Sequence, residues 1–147
     1  MEFYGESIDV LRDIKIALVF TAVFIFLNLS TGLVIGFPLA VTNQQLIAGG
    51  VAPVVEELGF RAGLLSLISF LPVPFDYIIN GAAFSLFHYY AYGESLARMS
   101  ASFIGAFIFS FVCVYLVKKY DSILIPIFLH AGFNLYLLGR YFVFVAI

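Results

Sequence analysis

The stretch VAPVVEELGFR (residues 51–61) places two adjacent glutamates and an arginine inside a run, about 46–71, that is otherwise apolar. A run of that length can cross a bilayer, which takes about 20 apolar residues. A charged side chain at the centre of a membrane helix costs about 2.5–3.5 kcal/mol on insertion scales. Glu56, Glu57 and Arg61 therefore need partners, a water-filled cavity or a function, and they are candidate site residues by default.

The composition of the whole chain agrees with a membrane setting. Of 147 residues, 63% are hydrophobic and 11% are charged, whereas soluble domains average about 25% charged. The sequence therefore predicts an integral membrane protein with room for one bundle of about five crossings. The net charge of −2 and the lack of a basic stripe argue against a nucleic-acid partner. Cys113, the one cysteine, excludes a disulfide within the chain.

Five apolar spans follow one another with short polar connections. They cover about Ile14–Phe37, Gln45–Phe70, Phe75–Tyr92, Ala97–Val117 and Ile123 to the end. The first span is too long for a signal peptide and lacks a small-residue cleavage pattern, so we expect a permanent helix. The predicted fold is all-α, a polytopic transmembrane bundle of about five helices. We expect an N-terminal lead-in and first helix (1–41) and a core of four helices (42–147).

Basic residues near the ends of the spans predict the orientation. With five crossings, one side of the membrane receives Arg12, Lys15, Lys118 and Lys119. Arg98 and Arg140 fall on the other side or within the membrane. Because cytoplasmic loops carry the excess of lysine and arginine, we expect a multi-pass cell-membrane protein with a cytoplasmic N-terminus.

Several polar residues inside the spans belong to three pairs of residues four apart. The three pairs are Glu57 with Arg61, Phe84 with His88, and His130 with Asn134. Residues four apart share one helix face, so all three pairs can face a common centre. A rise of 1.5 Å per residue also places the polar members in the middle to inner half of the membrane. The spacing therefore predicts one shared polar site.

Each pair also has a purely structural interpretation. Glu57 and Arg61 can form an ion pair that stabilises the second span. A lone histidine or asparagine in a membrane helix can serve as an interhelical hydrogen-bonding group. For the whole set to be structural, several costly residues on three helices would have to converge at one depth by coincidence. We therefore favour a functional site.

The three motifs together resemble the CPBP family, the CAAX prenyl endopeptidases and bacteriocin-processing enzymes also called Abi proteins. They are EExxxR at Glu56, FxxxH at Phe84 and HxxxN at His130, in that order on successive apolar spans. The resemblance covers about Gln45 to Ile147 and implies an intramembrane endopeptidase. Family members often carry more helices before the first motif than the one found here.

The resemblance also implies a role for each residue. Glu56 would be the general base that activates water, and His88 would help to position that water. His130 and Asn134 would stabilise the oxyanion. Glu57, Arg61 and Phe84 would hold these catalytic side chains in position.

Metal dependence can be argued from the same residues. Glu56, His88 and His130 form a set that could ligate zinc, as in His₂Glu catalytic sites. The chain lacks HExxH, in which one helix supplies both histidines. The resemblance to archaeal prenyl-peptidases, understood as metal-free and glutamate-dependent, favours an enzyme without a cofactor, with zinc as the alternative.

Two other function classes fit parts of the pattern. A non-catalytic membrane partner, such as a bacteriocin-immunity protein, would keep the fold and bind a target. A bis-histidine haem or ion-conducting bundle would use His88 and His130. The expected partners of the enzyme are the lipid bilayer and a membrane-associated protein or peptide, prenylated or leader-bearing. The sequence determines neither the exact substrate nor the oligomeric state.

Overall fold

A computed structural model describes residues 9–31, 51–91 and 96–145 of the chain. These residues form five helices and no strand, so the all-helical prediction is confirmed for the described part. The helices are α1 (Val10–Thr31), α2 (51–67), α3 (Phe75–Ala91), α4 (Leu96–Tyr120) and α5 (Leu124–Val145). Within α2, the segment Leu58–Leu64 is a π-helical turn.

The helix boundaries lie close to the predicted spans wherever both are described. The end of the predicted first span and the start of the second lie outside the described residues, as does the predicted boundary between 41 and 42. The two-part division of the chain therefore stays a prediction.

Close approach of helices occurs at two glycines. A Cβ atom on Gly81 of α3 would lie 3.0 Å from the ring of Phe107 on α4. One on Gly132 of α5 would lie 3.1 Å from Oγ1 of Thr21 on α1. Small residues allow helix backbones to come this near. The pairs α3 with α4 and α1 with α5 accordingly make the most extensive contacts, and the π turn of α2 packs against α3 and α4.

Polar contacts join several helix ends at one end of the bundle. The buried carboxylate of Asp13 near the start of α1 accepts a hydrogen bond from Ser122 Oγ, between α4 and α5. Lys118 near the end of α4 pairs with the buried Asp76 at the start of α3. Arg12 also contacts the carbonyl oxygen of Tyr120. The basic residues of α1 and of the end of α4 thus lie at the same end, and its assignment to the cytoplasm stays a prediction.

Polar side chains concentrate in the interior, and large apolar side chains cover much of the surface. Buried polar residues include Glu57, Arg61, Asn80, Ser110 and His130. The exposed apolar residues include Leu18, Val19, Val23 and Phe26 on α1, Leu86 and Phe87 on α3, and Ile104 and Ile108 on α4. Such a surface suits contact with lipid, because contiguous apolar patches are rare on soluble monomers.

Within the described residues, one stretch is long and apolar enough to cross a membrane by length and composition. It is Phe103–Tyr120 of α4, and a shorter apolar stretch covers Leu124–Tyr136 of α5. The number of crossings therefore stays a prediction.

Candidate functional site

The π turn in α2 keeps a buried stripe of the helix facing the bundle interior. The stripe consists of Pro53, Glu57, Arg61 and Leu65, spaced four residues apart and all buried. In a regular α-helix, four residues advance about 40° beyond a full turn. Side chains spaced four residues apart would therefore rotate progressively away from the bundle interior. The wider i→i+5 turn absorbs this rotation, and π turns of this kind occur frequently at functional sites.

Glu57 and Arg61 form a fully buried ion pair. Arg61 Nε lies 3.0 Å from Glu57 Oε2, and both side chains are shielded from solvent. The guanidinium carbon of Arg61 lies 4.7 Å from the centre of the Phe84 ring, a favourable cation–π distance. The charge of Arg61 is therefore balanced by a carboxylate and an aromatic face.

His130 is held by the second oxygen of the same glutamate. Its Nδ1 lies 2.9 Å from Glu57 Oε1. Because a carboxylate oxygen accepts, Nδ1 is the donor and carries a proton. Glu57 thus bridges Arg61 and His130, and the Nε2 atom of His130 faces Glu56 at 3.8 Å.

His88 is oriented by its own helix. Its Nδ1 lies 2.9 Å from the carbonyl oxygen of Phe84, which can only accept, so Nδ1 donates. Neutral His88 therefore presents the lone pair of Nε2, which lies 3.5 Å from Glu56 Oε2. The Phe84 ring packs against the imidazole with centroids 4.2 Å apart.

Glu56 completes the group of facing atoms. Its Oε2 is buried and has no hydrogen-bond partner within the part of the chain that the structure describes. The carboxylate oxygen and one nitrogen from each of His88 and His130 all lie within 4.8 Å of one another. With His130 neutral, all three groups are acceptors. The arrangement therefore suits a species that satisfies acceptors, either a water molecule or a divalent cation.

The residues present fit a zinc ion as well as a water molecule. Ligand atoms around a tetrahedral zinc, at about 2.0–2.1 Å from the metal, lie roughly 3.3 Å apart, close to the 3.5 Å and 3.8 Å from Glu56 Oε2 to the two imidazoles. The three ligand atoms are spread over up to 4.8 Å, so the two imidazoles would have to move closer together to hold the ion. Zinc-binding histidines usually donate their other N–H to a carbonyl or carboxylate. His88 and His130 do so to Phe84 and Glu57.

The structure thus brings together three of the four residues predicted to be catalytic, namely Glu56, His88 and His130. The residues predicted to support them, Glu57, Arg61 and Phe84, lie in direct contact with this group or with one another. Asn134, the fourth, lies one turn beyond His130 on α5 and is half-buried.

Two polar residues behind the site were not predicted to belong to it. Asn80 of α3 accepts a hydrogen bond from Arg61 Nη1 at 2.6 Å, and Ser110 of α4 lies 3.3 Å from the same Asn80 oxygen. The sequence did contain an indication of Asn80, because it continues the four-residue spacing of Phe84 and His88. Ser110 has no such spacing relative to the three pairs, so the sequence gives no indication that it belongs with the site.

Comparison with known protein families gives a match over most of the chain. A family model described as "Type II CAAX prenyl endopeptidase Rce1-like" matches residues 38–136, which are 99 of the 147 residues. The matched region contains all seven residues predicted for the site. No curated protein and no solved structure gives a significant match.

Proposed function

Because the chain belongs to the Rce1-like family of type II CAAX prenyl endopeptidases, which are membrane-embedded proteases, we propose that it is an intramembrane endopeptidase. It hydrolyses a peptide bond of a membrane-associated protein or peptide. The observation that supports this proposal best is the orphaned Glu56 oxygen facing two imidazole nitrogens inside the bundle.

The first chemical step is activation of water. A water molecule between Glu56 Oε2 and His88 Nε2 donates one hydrogen to each, which fixes its oxygen toward the substrate carbonyl. Glu56 removes a proton as the oxygen attacks, and a tetrahedral intermediate forms. Glu56 then gives this proton to the leaving amine. General base catalysis of this kind contributes about 10²–10⁴-fold in rate.

The second requirement is stabilisation of the oxyanion. His130 and Asn134, which share a face of α5, supply this in the proposal. Because Nδ1 of His130 already donates to Glu57, Nε2 can donate only when the ring carries both protons. Glu57 supports that state by accepting from Nδ1 throughout. Donors in a low-dielectric cavity are most effective at stabilising such a charge.

The zinc alternative uses the same residues. Glu56, His88 and His130 would hold the ion, which would supply Lewis acidity and lower the pKa of its bound water. Glu57 and the Phe84 carbonyl would then fix the two imidazoles.

The proposal is tested with purified protein in lipid vesicles and a fluorogenic peptide tethered to the membrane by a prenyl group. We expect Glu56→Gln to lower kcat at least about 100-fold, because the amide cannot accept the proton. Asp9→Asn, the same chemical change at an exposed position of the described chain, should cleave at the wild-type rate. Wild-type cleavage by a folded Glu56→Gln variant would contradict the proposal.

A chelator separates the two forms of the mechanism. The metal-free form predicts that wild-type activity persists after treatment with 1,10-phenanthroline and that purified protein contains no stoichiometric zinc. Loss of activity that zinc restores would establish the metal-dependent form.

A further inference from the structure

We propose that Asn80 is a positioning residue for this site, acting through Arg61 and Glu57 on the ring of His130. The proposal deepens the function proposed above and rests on it for its kinetic consequence. None of the contacts of Asn80 described above is with Glu56, His88 or His130. Its effect passes through its hydrogen bond with Arg61, the ion pair of Arg61 with Glu57, and the hydrogen bond from His130 to Glu57.

Asn80 is completely buried, and its side-chain amide joins three helices. Its Oδ1 accepts hydrogen bonds from Arg61 Nη1 of α2 at 2.6 Å and from Ser110 Oγ of α4 at 3.3 Å. Its Nδ2 donates to the carbonyl oxygen of Phe60 at 2.7 Å. These three contacts hold the amide in one arrangement, because a hydrogen bond is stronger in a low-dielectric interior than in water.

The contact to Phe60 links Asn80 to the π turn. The same carbonyl oxygen accepts the backbone N–H of Leu65, the i→i+5 bond that defines the turn. Asn80 therefore contacts α2 at two neighbouring points, the Phe60 carbonyl and the Arg61 side chain. Together these contacts fix both the backbone from which Arg61 projects and the direction of its guanidinium group.

Arg61 depends on this anchor. Its Nε and Nη2 atoms have no hydrogen-bond partner of adequate geometry within the described residues. The Nε atom still lies 3.0 Å from Glu57 Oε2, so the attraction between them is electrostatic and weakly directional. Together with the packing of the guanidinium on the Phe84 ring, the hydrogen bond from Nη1 to Asn80 thus orients it toward Glu57.

Glu57 passes this orientation on to His130. One of its oxygens faces Arg61 and the other accepts from His130 Nδ1 at 2.9 Å. If Arg61 turned away, Glu57 would lose its buried counter-charge and its fixed rotamer. The imidazole would then lose the partner that holds the proton on Nδ1 and directs Nε2 toward Glu56.

An asparagine is required at this position because the site needs an acceptor and a donor on one short planar group. Alanine would leave Arg61 Nη1 and the Phe60 carbonyl without this partner. Aspartate would keep the acceptor but would lose the donor, and its charge would compete with Glu57 for Arg61.

The test uses the fact that the chain has only two histidines. In protein labelled with ¹⁵N-histidine, a His88→Gln variant assigns the His130 resonances. We expect wild-type His130 to show a protonated Nδ1 in one state, and Asn80→Ala to show a mixture of tautomers. We also expect kcat to fall about 10–100-fold, the usual cost of losing an outer-shell partner, with KM changed less than about threefold.

Ser85→Ala is the matched control. Ser85 is equally buried on the same helix, and its hydroxyl bonds to the Gly81 carbonyl of that helix. We expect it to leave both the His130 spectrum and kcat unchanged. Ser110→Ala, which removes one of the two donors to Asn80 Oδ1, should shift the spectrum in the same direction but less. It replaces Asn80→Ala if that variant does not fold.

An unchanged His130 spectrum in folded Asn80→Ala, or in Ser110→Ala if that variant replaces it, would overturn the proposal, whatever the activity. The proposal would also be overturned if Asn80→Ala lowered kcat by the same factor in the Glu57→Gln background as in the wild type. An effect that acts through Glu57 should disappear once the Glu57 carboxylate has been removed. The spectrum requires no substrate, so it decides the role of Asn80 even if Glu56→Gln shows that the proposed function is wrong.

Discussion

Arg61 and Glu57 show how this chain places charge in an apolar interior. Both are buried, and Arg61 has hydrogen-bonded, ionic and aromatic contacts with three different groups. Isolated charges in such a setting are strongly unfavourable, whereas a paired and oriented charge is tolerated. Removing one member of the pair should therefore destabilise the bundle, and Glu57 also accepts a hydrogen bond from His130 Nδ1.

We expect Arg61→Gln to lower the free energy of unfolding by about 3–5 kcal/mol, because the charge of Glu57 would stay buried without its partner. Unfolding in a graded detergent mixture, followed by circular dichroism, measures this change.

Arg61→Lys should lose less stability, since it keeps the charge but lacks the planar fork that reaches Asn80 and Glu57 together. Combining Arg61→Gln with Glu57→Gln should recover part of the loss, because no unpaired charge then remains. A single Arg61→Gln variant as stable as the wild type would contradict the role of Arg61 as the counter-charge of Glu57.

At the scale of elements, the site depends on how closely the helices approach one another. α5 carries His130 and Asn134, and Gly132 lies between them where Thr21 of α1 comes into contact. The α1 helix thus packs against the segment of α5 that presents the proposed oxyanion donors. Gly81 allows a similarly close approach of α4 to α3.

We expect Gly132→Ala to destabilise the protein by about 1–3 kcal/mol, the usual cost of overpacking, even though alanine favours a helix over glycine by about 1 kcal/mol. The new Cβ atom would lie 3.1 Å from Thr21 Oγ1 and 3.2 Å from Thr21 Cγ2. Thermal unfolding in detergent provides the measurement.

Two further variants separate overpacking from other effects. Thr21→Ala removes both crowded atoms and should rescue Gly132→Ala. Gly139→Ala on the same helix meets nothing within 4 Å and should be neutral or stabilising. Failure of the rescue would mean that the cost comes from α5 itself rather than from its contact with α1.

At the scale of the whole molecule, the described residues have polar groups inside and apolar groups on much of the surface. Asp13 and Ser122, together with Lys118 and Asp76, mark one end of the bundle, and the site lies among the helices. Because basic residues favour the cytoplasmic side, this end should face the cytoplasm.

Single cysteines introduced into a Cys113→Ala background test this orientation. We expect a membrane-impermeant maleimide to label Asp9→Cys and Lys119→Cys only after the cells are opened. Ser100→Cys, an exposed position near the other end of α4, should be labelled in intact cells. Labelling of Asp9→Cys from outside would reverse the predicted orientation, and labelling of Asp9→Cys and Lys119→Cys from different sides would contradict the described packing.

The sequence by itself determined the all-helical fold and the family, and it indicated the residues of the candidate site. These follow from local information: an apolar run predicts a helix, and a four-residue spacing predicts one helix face. Glu56, Glu57, Arg61, His88 and His130 could be chosen because a polar residue in an apolar helix is costly wherever that helix packs.

Only the tertiary structure decided which groups meet. The bond from His130 to Glu57, the anchoring of Arg61 by Asn80 and the π turn in α2 depend on the distances and rotations between helices. Those distances are determined by side-chain packing between segments far apart in sequence, which no local spacing encodes. The four-residue spacing places Asn80 on the same helix face as Phe84 and His88, but only the structure shows that Asn80 bonds to Arg61.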